Sequence, residues 1–168
     1  MKTLPFILLL SAVQPLTAQQ KNYAADVASP EAIAGALYAV ISGETGQDRD
    51  WDRFRNLFMP ESRLIPTRKS ENGAFGIRTL SPEDYIQLFS ARISTGFFER
   101  ELHRVVESYG TITHIFSTYE TREKPDGTAT NRGINSIQLF YDGKRYFIVN
   151  VFWCAESMGF PLPEKYLN

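Results

Sequence analysis

The pattern of hydrophobic positions divides the chain into a mainly helical first part and a second part made of strands. Three stretches repeat apolar residues at the spacing of one helix face, and they run from Pro30 to about Gly43, from Asp50 to Phe58 and from Pro82 to about Gly96. Two of them open with Ser-Pro-Glu, in which serine caps the helix and proline occupies its first turn. Two short strands, Arg63–Thr67 and Phe75–Leu80, are predicted between the second and third helices.

The last third of the chain predicts four long strands. Residues 97–108, 111–124, 130–141 and 144–155 are rich in β-branched and aromatic residues. Glycine-containing corners separate them, at Tyr109-Gly110, Pro125-Asp126-Gly127 and Asp142-Gly143. Long strands joined by tight corners form an antiparallel meander, so the sequence predicts an α+β domain with three N-terminal helices on one face of an antiparallel sheet.

The lengths of the corners assign side chains to the two faces of this sheet. A three-residue loop at 125–127 places Ser117 beside Asn135, and Tyr119 on the same face. A two-residue loop at Asp142-Gly143 places Asn135 opposite Asn150. We expect this face to be the one that the helices cover, and its predicted members are Phe98, Arg100, Leu102, Ile115, Ser117, Tyr119, Asn135, Ile137, Ile148, Asn150 and Phe152. A single bulge would move part of this set to the other face.

The same count sends the mid-strand acids to the outer face of the sheet, together with both histidines. Glu99, Glu101 and His103 lie there, as do Val151 and Trp153. Two imidazoles without a third ligand at suitable spacing do not predict a metal site. The aromatic end of this face is larger than a monomer leaves exposed, which favours a homodimer through the outer sheet face. The alternative is that the C-terminal tail, residues 158–168, folds over it.

Asn135 and Asn150 are the most informative polar positions, because each interrupts an apolar run. A buried amide without a partner costs about 1–3 kcal/mol, so each must bond to something. In the functional interpretation they line a pocket floor with Ser117 and Tyr119 and present donors and acceptors to a ligand. In the structural one, the two amides satisfy each other across the strands. The predicted helices add two aromatic candidates to the ligand-binding set, Tyr85 and Trp51.

Three stretches of the sequence resemble the nuclear transport factor 2-like superfamily, which includes SnoaL-like and ketosteroid-isomerase-like proteins. They are residues 51–58 (WDRFRNLF), 135–143 (NSIQLFYDG) and 145–153 (RYFIVNVFW), and the order of elements agrees from about Pro30 to Ala155. The resemblance implies a curved sheet wrapped by three helices into a cystatin-like cone, often dimeric, with a pocket inside. Members include ketosteroid isomerase, scytalone dehydratase, polyketide cyclases and proteins that only bind or associate, so the fold does not select the activity.

Composition narrows the classes of partner. The 168 residues carry 18 Lys and Arg against 19 Asp and Glu, so the charge gives no reason to bind nucleic acid or an anionic membrane. The single cysteine, Cys154, excludes an intramolecular disulfide, and it is interpreted as a buried filler rather than a reactive thiol. Phosphate loops, nucleophile elbows and dinucleotide fingerprints are absent from the sequence, so no cofactor and no metal are predicted.

The first 18 residues predict a secretory signal peptide. Lys2 precedes an apolar run from Leu4 to Val13, and the small residue Ala18 suits cleavage. A buried N-terminal helix is the alternative, which Pro5 and Pro15 disfavour. The predicted organisation is therefore a signal peptide at 1–18, a flexible lead-in at 19–29, the domain at 30–157 and a C-terminal tail at 158–168. The localisation expected from it is export, to the periplasm or outside the cell, with no membrane attachment after cleavage.

These observations lead to an expected function with two alternatives. Enzymes of ketosteroid-isomerase type use a carboxylate base inside the cone, and the face assignment places none there. We therefore expect an exported, non-catalytic domain that holds a small apolar ligand. The alternatives are a small isomerase, dehydratase or cyclase that works by proton transfer, and a pure association module.

Overall fold

The computed structural model describes residues 21–167. In chain order its helices and strands are α1 (Pro30–Ile41), α2 (Trp51–Leu57), β1 (Phe58–Lys69), β2 (Phe75–Ile77), α3 (Pro82–Arg92), β3 (Phe98–Tyr109), β4 (Ile112–Arg122), β5 (Asn131–Tyr141) and β6 (Tyr146–Ala155). Short 3₁₀ helices cover Ala24–Val27, Glu156–Met158 and Glu164–Tyr166. The predicted signal peptide lies outside the described residues, so export stays a prediction. Within 21–167, no helix is both long and apolar enough to cross a bilayer.

The two Ser-Pro-Glu sequences start helices as predicted. The Ser29 side chain accepts a hydrogen bond from the backbone N–H of Ala32 at 3.1 Å, which caps α1. Ser81 and Asp84 form a reciprocal capping box at the start of α3, in which each side chain accepts from the backbone N–H of the other residue. Each of these caps satisfies N–H groups that the helix leaves without intrahelical partners.

All six strands form one sheet in the order β2-β1-β6-β5-β4-β3. Strands β3 to β6 form the predicted antiparallel meander, and the α+β class is confirmed. The sheet differs from the predicted antiparallel one in that β1 runs parallel to β6, which makes it mixed. Helix α1 packs its apolar stripe on the sheet, where Ile115, Ile137 and Ile148 have no exposed surface. Each such aliphatic side chain stabilises the fold by about 1.5–3 kcal/mol through burial.

The pairing of β4 with β5 confirms the predicted register, with Ser117 beside Asn135 and Tyr119 beside Gly133. The register of β3 differs, because Glu101 pairs with Tyr119 whereas His103 pairs with Thr118. Leu102 is therefore an extra residue, and a bulge of this kind exchanges the faces of the strand before it.

This bulge corrects the predicted faces of β3. Glu99 and Glu101 share the inner face with Tyr119, and the prediction that they point outward is wrong. Phe98 and Arg100, predicted to point inward, lie on the outer face. There Arg100 forms an ion pair with Glu120 at 2.7 Å.

A second bulge corrects the predicted pairing of Asn135 with Asn150. Gln138 pairs with Asn150 whereas Leu139 pairs with Ile148, so Val149 is the extra residue in β6. Asn135 instead lies opposite Trp153. Val151 and Trp153, predicted to point outward, consequently share the inner face with Asn135, and Asn150 and Phe152 lie on the outer face. The two asparagines therefore do not satisfy each other.

The segment after β6 packs against the outer face of the sheet. The ring of Tyr166 lies edge-on to that of Phe116, with centroids 5.2 Å apart, and Arg132 of β5 pairs with Glu156 at 2.9 Å. These contacts favour the alternative in which the tail covers part of this face, and the homodimer stays a prediction. His103 and His114 lie on this outer face as predicted, and His114 Nε2 bonds to Ser136 Oγ at 2.9 Å.

The lead-in before α1 is packed rather than loose in the described part, residues 21–29. Val27 is buried at 3% exposure. Asp26 accepts two hydrogen bonds from the Arg53 guanidinium, at 2.7 and 2.8 Å. The Tyr23 hydroxyl donates to the Asp50 carboxylate that caps α2, at 3.0 Å. This segment therefore ties the start of α1 to α2.

Candidate active site

A cavity of about 510 Å³ lies between helices α1 and α3 and the inner face of the sheet. Apolar side chains form much of its wall, among them Leu37, Leu64, Leu80, Phe89, Phe97 and Trp153. Its volume is in the range of small-molecule sites, which combine an apolar wall with a few polar groups. The polar residues that line this cavity include Glu99, Tyr85, Tyr119 and Asn135, together with Thr67, Thr121, Asn131, Arg68, Arg78 and Arg92.

Glu99 is the acidic residue in this wall. It stands at the start of β3, opposite Thr121, and the bulge at Leu102 turns its side chain inward. Burial in these surroundings raises the pKa of the Glu99 carboxyl to about 8, because the charged form loses its hydration. An interaction with the Asn135 side chain favours the charged form and offsets part of that rise. At neutral pH the carboxyl is therefore mostly protonated, with a minority ionised.

Two tyrosines that line the cavity have hydroxyls without hydrogen-bond partners in the described part of the chain. Burial raises the pKa of both Tyr85 and Tyr119 above the ordinary range, and the charge of nearby Glu99 raises it further. Both phenols therefore stay neutral and keep their protons. Within residues 21–167 neither hydroxyl forms a hydrogen bond, so both can donate to a molecule in the cavity.

Behind the wall, a directional chain of hydrogen bonds holds the Asn135 amide. The Ser117 hydroxyl donates to the Glu101 carboxylate at 2.5 Å, and that carboxylate also forms an ion pair with Arg104. Ser117 has one proton to give, so Tyr38 must donate to Ser117, at 2.6 Å. Asn135 Nδ2 in turn donates to the Tyr38 oxygen at 3.1 Å. This series of hydrogen bonds fixes the orientation of the Asn135 amide, with its Nδ2 group turned toward Tyr38.

The structure brings together only part of the predicted binding set. Asn135, Tyr119 and Tyr85 line the cavity, and Ser117 lies behind it in the hydrogen-bond chain. Trp51 packs edge-on against Phe89 with centroids 5.7 Å apart, so it supports a wall residue without lining the cavity itself. Asn150 lies on the other face of the sheet, for the register reason given above.

Sequence reasoning missed Glu99, together with Trp153 on β6. Both were assigned to the outer face by counting from the corners. In each strand the bulged residue is an ordinary aliphatic one, Leu102 or Val149, and neither carries the glycine signal that marks some bulges. No local signal in the sequence distinguishes the true faces from the predicted ones.

Gly133 allows the close approach of Tyr119 to the neighbouring strand. A Cβ atom at this position would lie 2.6 Å from the Tyr119 hydroxyl and would also clash with the Cys154 carbonyl oxygen. We expect Gly133→Ala to lower the free energy of unfolding by about 1–3 kcal/mol, the usual cost of overpacking. Urea unfolding of Gly133→Ala and of the natural protein measures this difference in the free energy of unfolding.

The matched control for that substitution is Gly35→Ala, on the exposed side of helix α1. An added Cβ there has nothing within 4 Å. Alanine favours the helix over glycine by about 1 kcal/mol, so this control is expected to be stabilising. Equal stability of the two variants would contradict the role of Gly133.

Solved structures resemble this chain in fold. A cystatin-like protein of unknown function from Nostoc punctiforme aligns with a TM-score of 0.56 at 12% identity, over 73% of this chain and 85% of its own. An NTF2-like protein from Cytophaga hutchinsonii aligns with a TM-score of 0.53 at 13% identity, over 74% of this chain and 96% of its own. A second NTF2-like protein, of unknown function and from Pseudomonas putida, aligns with a TM-score of 0.54 at 10% identity, over 81% of this chain and 86% of its own. The chain has the NTF2-like cone fold.

The NTF2-like fold agrees with the resemblance seen in the sequence, and it places the cavity inside the cone. At 10–13% identity the likeness establishes the fold alone, so the chemistry has to be argued from the residues of the cavity. No protein-family model matches the sequence, and no curated protein matches it. In the part of the chain that the structure describes, no group of three or more His, Cys, Asp or Glu side chains is placed to hold a metal ion.

Proposed function

We propose that this protein is an acid–base enzyme that moves a proton within a small, largely apolar molecule bound in the cone. The reaction class is isomerisation, dehydration or cyclisation. The observation that supports it is the Glu99 carboxyl, which borders an apolar cavity that two tyrosine hydroxyls without hydrogen-bond partners among residues 21–167 also line. The sequence argument for a non-catalytic protein rested on the absence of an inward acid, and the position of Glu99 removes that argument.

Glu99 suits a proton shuttle because its pKa lies near neutral pH. The ionised form is a stronger base than an ordinary carboxylate, since its pKa is raised to about 8. It would take a proton from carbon next to an activating group of the substrate. The protonated form could then return that proton to another atom of the same molecule. A group that gives and takes protons in turn works best with a pKa close to the operating pH.

Tyr85 and Tyr119 would stabilise the intermediate. Removing a proton next to a carbonyl moves negative charge onto the oxygen, and a neutral hydroxyl can donate a hydrogen bond to it. The raised pKa values keep both tyrosines protonated for this task. Asn135 would act on the carboxyl instead, because its interaction with Glu99 favours the ionised base.

A binding protein is the second candidate, and it uses the same cavity. Its support is that a carboxyl with a pKa of about 8 is mostly protonated at pH 7 and can donate a hydrogen bond to a neutral ligand. In this candidate the proton stays on Glu99, and the tyrosines only orient the ligand. The two candidates differ in one measurable step, which is the breaking of a carbon–hydrogen bond.

The test uses 5-nitrobenzisoxazole, a general probe for bases in apolar cavities. A base removes the ring C–H proton, the C–N bond becomes a nitrile, the N–O bond breaks, and a coloured phenolate forms. We expect the protein to accelerate this reaction with a rate that rises with pH and levels off above about 8, since Glu99 must be ionised. Glu99→Gln is expected to lower the rate by a factor of about 10²–10⁴, the usual contribution of a positioned base.

Glu123→Gln is the matched control for this test. Glu123 is exposed in the β4–β5 loop and forms no ion pair within the described residues, so its variant should keep the rate. Equal rates for the natural protein and Glu99→Gln between pH 6 and pH 10 would refute the enzyme proposal. Binding of the probe without turnover, measured by calorimetry, would favour the binding protein.

A further inference from the structure

Three segments of the cavity wall each lead from a buried or half-buried residue to an arginine. In β1, the residues Leu64, Pro66 and Arg68 alternate with two-residue spacing and all line the cavity. Leu64 is buried at 2% exposure, Pro66 is half-buried and Arg68 is exposed. The strand therefore runs from the closed end of the cavity to its mouth.

The other two elements show the same gradient. Leu80, buried at 5% exposure, and Arg78, which is half-buried, line the cavity two residues apart. In helix α3, Tyr85, Phe89 and Arg92 line it at positions that share one helix face. Arg92 is exposed at the end of the helix. Three separate elements thus end in a guanidinium group at the open end of one cavity.

These arginines differ from most others in the part of the chain that the structure describes. Arg68, Arg78 and Arg92 form no ion pair and no side-chain hydrogen bond within residues 21–167. The arginines that do form ion pairs there are Arg53, Arg55, Arg100, Arg104, Arg122 and Arg132. Three cations at one mouth repel each other unless an anion joins them. The guanidinium N–H groups of the three arginines are also available to donate hydrogen bonds to such an anion.

From this geometry we infer that the molecule bound in the cone is an amphipathic anion. Its apolar body would fill the cavity, and its carboxylate would lie at the mouth among Arg68, Arg78 and Arg92. Guanidinium groups match carboxylate oxygens in pairs of hydrogen bonds, which gives both attraction and orientation. This inference deepens the proposed function and rests on it, because it assigns the charge of the substrate that Glu99 would act on.

The charge of the bound anion also determines which part of the molecule faces Glu99. Glu99 lines the cavity from β3, opposite Thr121, whereas the three arginines line it from β1, from the segment before Leu80 and from the end of α3. An anion held at the mouth would keep its own charge away from Glu99. The apolar part of the molecule would then be the part that Glu99 meets.

The test compares octanoate with octanol, which share a chain and differ in charge at pH 7. Calorimetry is expected to show octanoate binding at least 10-fold more tightly at low salt, with a preference that falls as salt screens the arginines. The variant Arg68→Gln/Arg78→Gln/Arg92→Gln is expected to lose that preference and to keep the affinity for octanol. Arg63→Gln is the control, because Arg63 is exposed on β1 and its guanidinium contacts only backbone carbonyls at Glu61 and Ser62.

Each outcome bears on one proposal. Equal binding of octanoate and octanol, or a preference that survives in the triple variant, would overturn the anion inference and leave the cavity as a binding site. Failure of both molecules to bind would also overturn it, while turnover of 5-nitrobenzisoxazole separately decides the enzyme proposal. If the triple variant does not fold, Arg92→Gln alone tests the same preference, since this side chain is exposed at a helix end.

Discussion

Replacing Glu99 with glutamine is expected to make the protein more stable at pH 8 and above, by a few kcal/mol, and to leave it nearly unchanged at pH 4.5. Glutamine has the shape of a protonated glutamic acid and cannot ionise. The variant therefore removes the cost of placing a negative charge in the apolar cavity. The effect is large because burial raises the pKa of Glu99 to about 8 in the folded state.

The sign of this effect follows from the protons that each state binds. In the unfolded chain the carboxyl titrates near its ordinary pKa of 4.5, and in the folded protein near 8. Between these values the folded state holds a proton that the unfolded state has lost, so a rise in pH favours unfolding. The contribution of Glu99 to stability is fully present below 4.5 and is lost as the pH passes 8. Its steepest slope is about 1.4 kcal/mol per pH unit.

Urea unfolding of both proteins at unit intervals from pH 5 to pH 9 measures this difference. The difference in free energy of unfolding should grow up to pH 8 and then stay constant. Glu123→Gln, in an exposed loop, provides the control for a change of charge alone. If the difference in free energy of unfolding between Glu99→Gln and the natural protein is the same at every pH, the pKa of Glu99 is not raised by folding, and the prediction is wrong.

The parts of the fold that the sequence predicted correctly depend on local signals. Ser29 and Ser81 cap helices, and glycine corners separate the antiparallel strands. The register of β4 with β5 was also predicted correctly, because no irregularity interrupts that pair. Asn135 and Tyr119 therefore lie on the predicted face, and both line the cavity.

The errors of face assignment came from bulges and not from the corners. The pairing of Tyr109 with Ile112 leaves Gly110 and Thr111 in the turn, where Tyr109 and Gly110 were predicted. The pairing of Tyr141 with Tyr146 leaves a four-residue turn where two were predicted. Each of these differences shifts the register by an even number of residues and keeps every side chain on its face. A bulge adds one residue and reverses the faces, so Glu99 and Asn150 were misassigned.

The cationic mouth lay outside the reach of sequence reasoning for a different reason. Arg68, Arg78 and Arg92 come from a strand, the segment after a short strand, and a helix. Each has the ordinary appearance of a surface charge in its own segment. Only the tertiary arrangement brings the three to one cavity, and net charge gives no hint of it because acids elsewhere balance them.

The hydrogen-bond chain behind the cavity leads to the second prediction with a large effect. Tyr38→Phe removes one hydroxyl that serves two buried partners, Asn135 at 5% exposure and Ser117 at none. A buried polar group that loses its partner costs about 1–3 kcal/mol. Asn135 Nδ2 loses its acceptor, whereas Ser117 keeps its bond to Glu101 and loses only the donor on its other side. Since the ring stays in place, we expect a loss of about 1–3 kcal/mol in the free energy of unfolding.

Urea unfolding at pH 6 measures that loss, with Tyr109→Phe as the control because its ring is 85% exposed. Ser117→Ala in the Tyr38→Phe background should cost less than Ser117→Ala alone, since the link between the two side chains is already broken. The titration of Glu99 should also shift, because the released Asn135 amide no longer has one fixed orientation toward the carboxyl. Suppose that Tyr38→Phe is as stable as Tyr109→Phe and that the titration of Glu99 does not move. The hydrogen bonds of Tyr38 then neither stabilise the fold nor orient Asn135, and other groups must support the ionised form of Glu99.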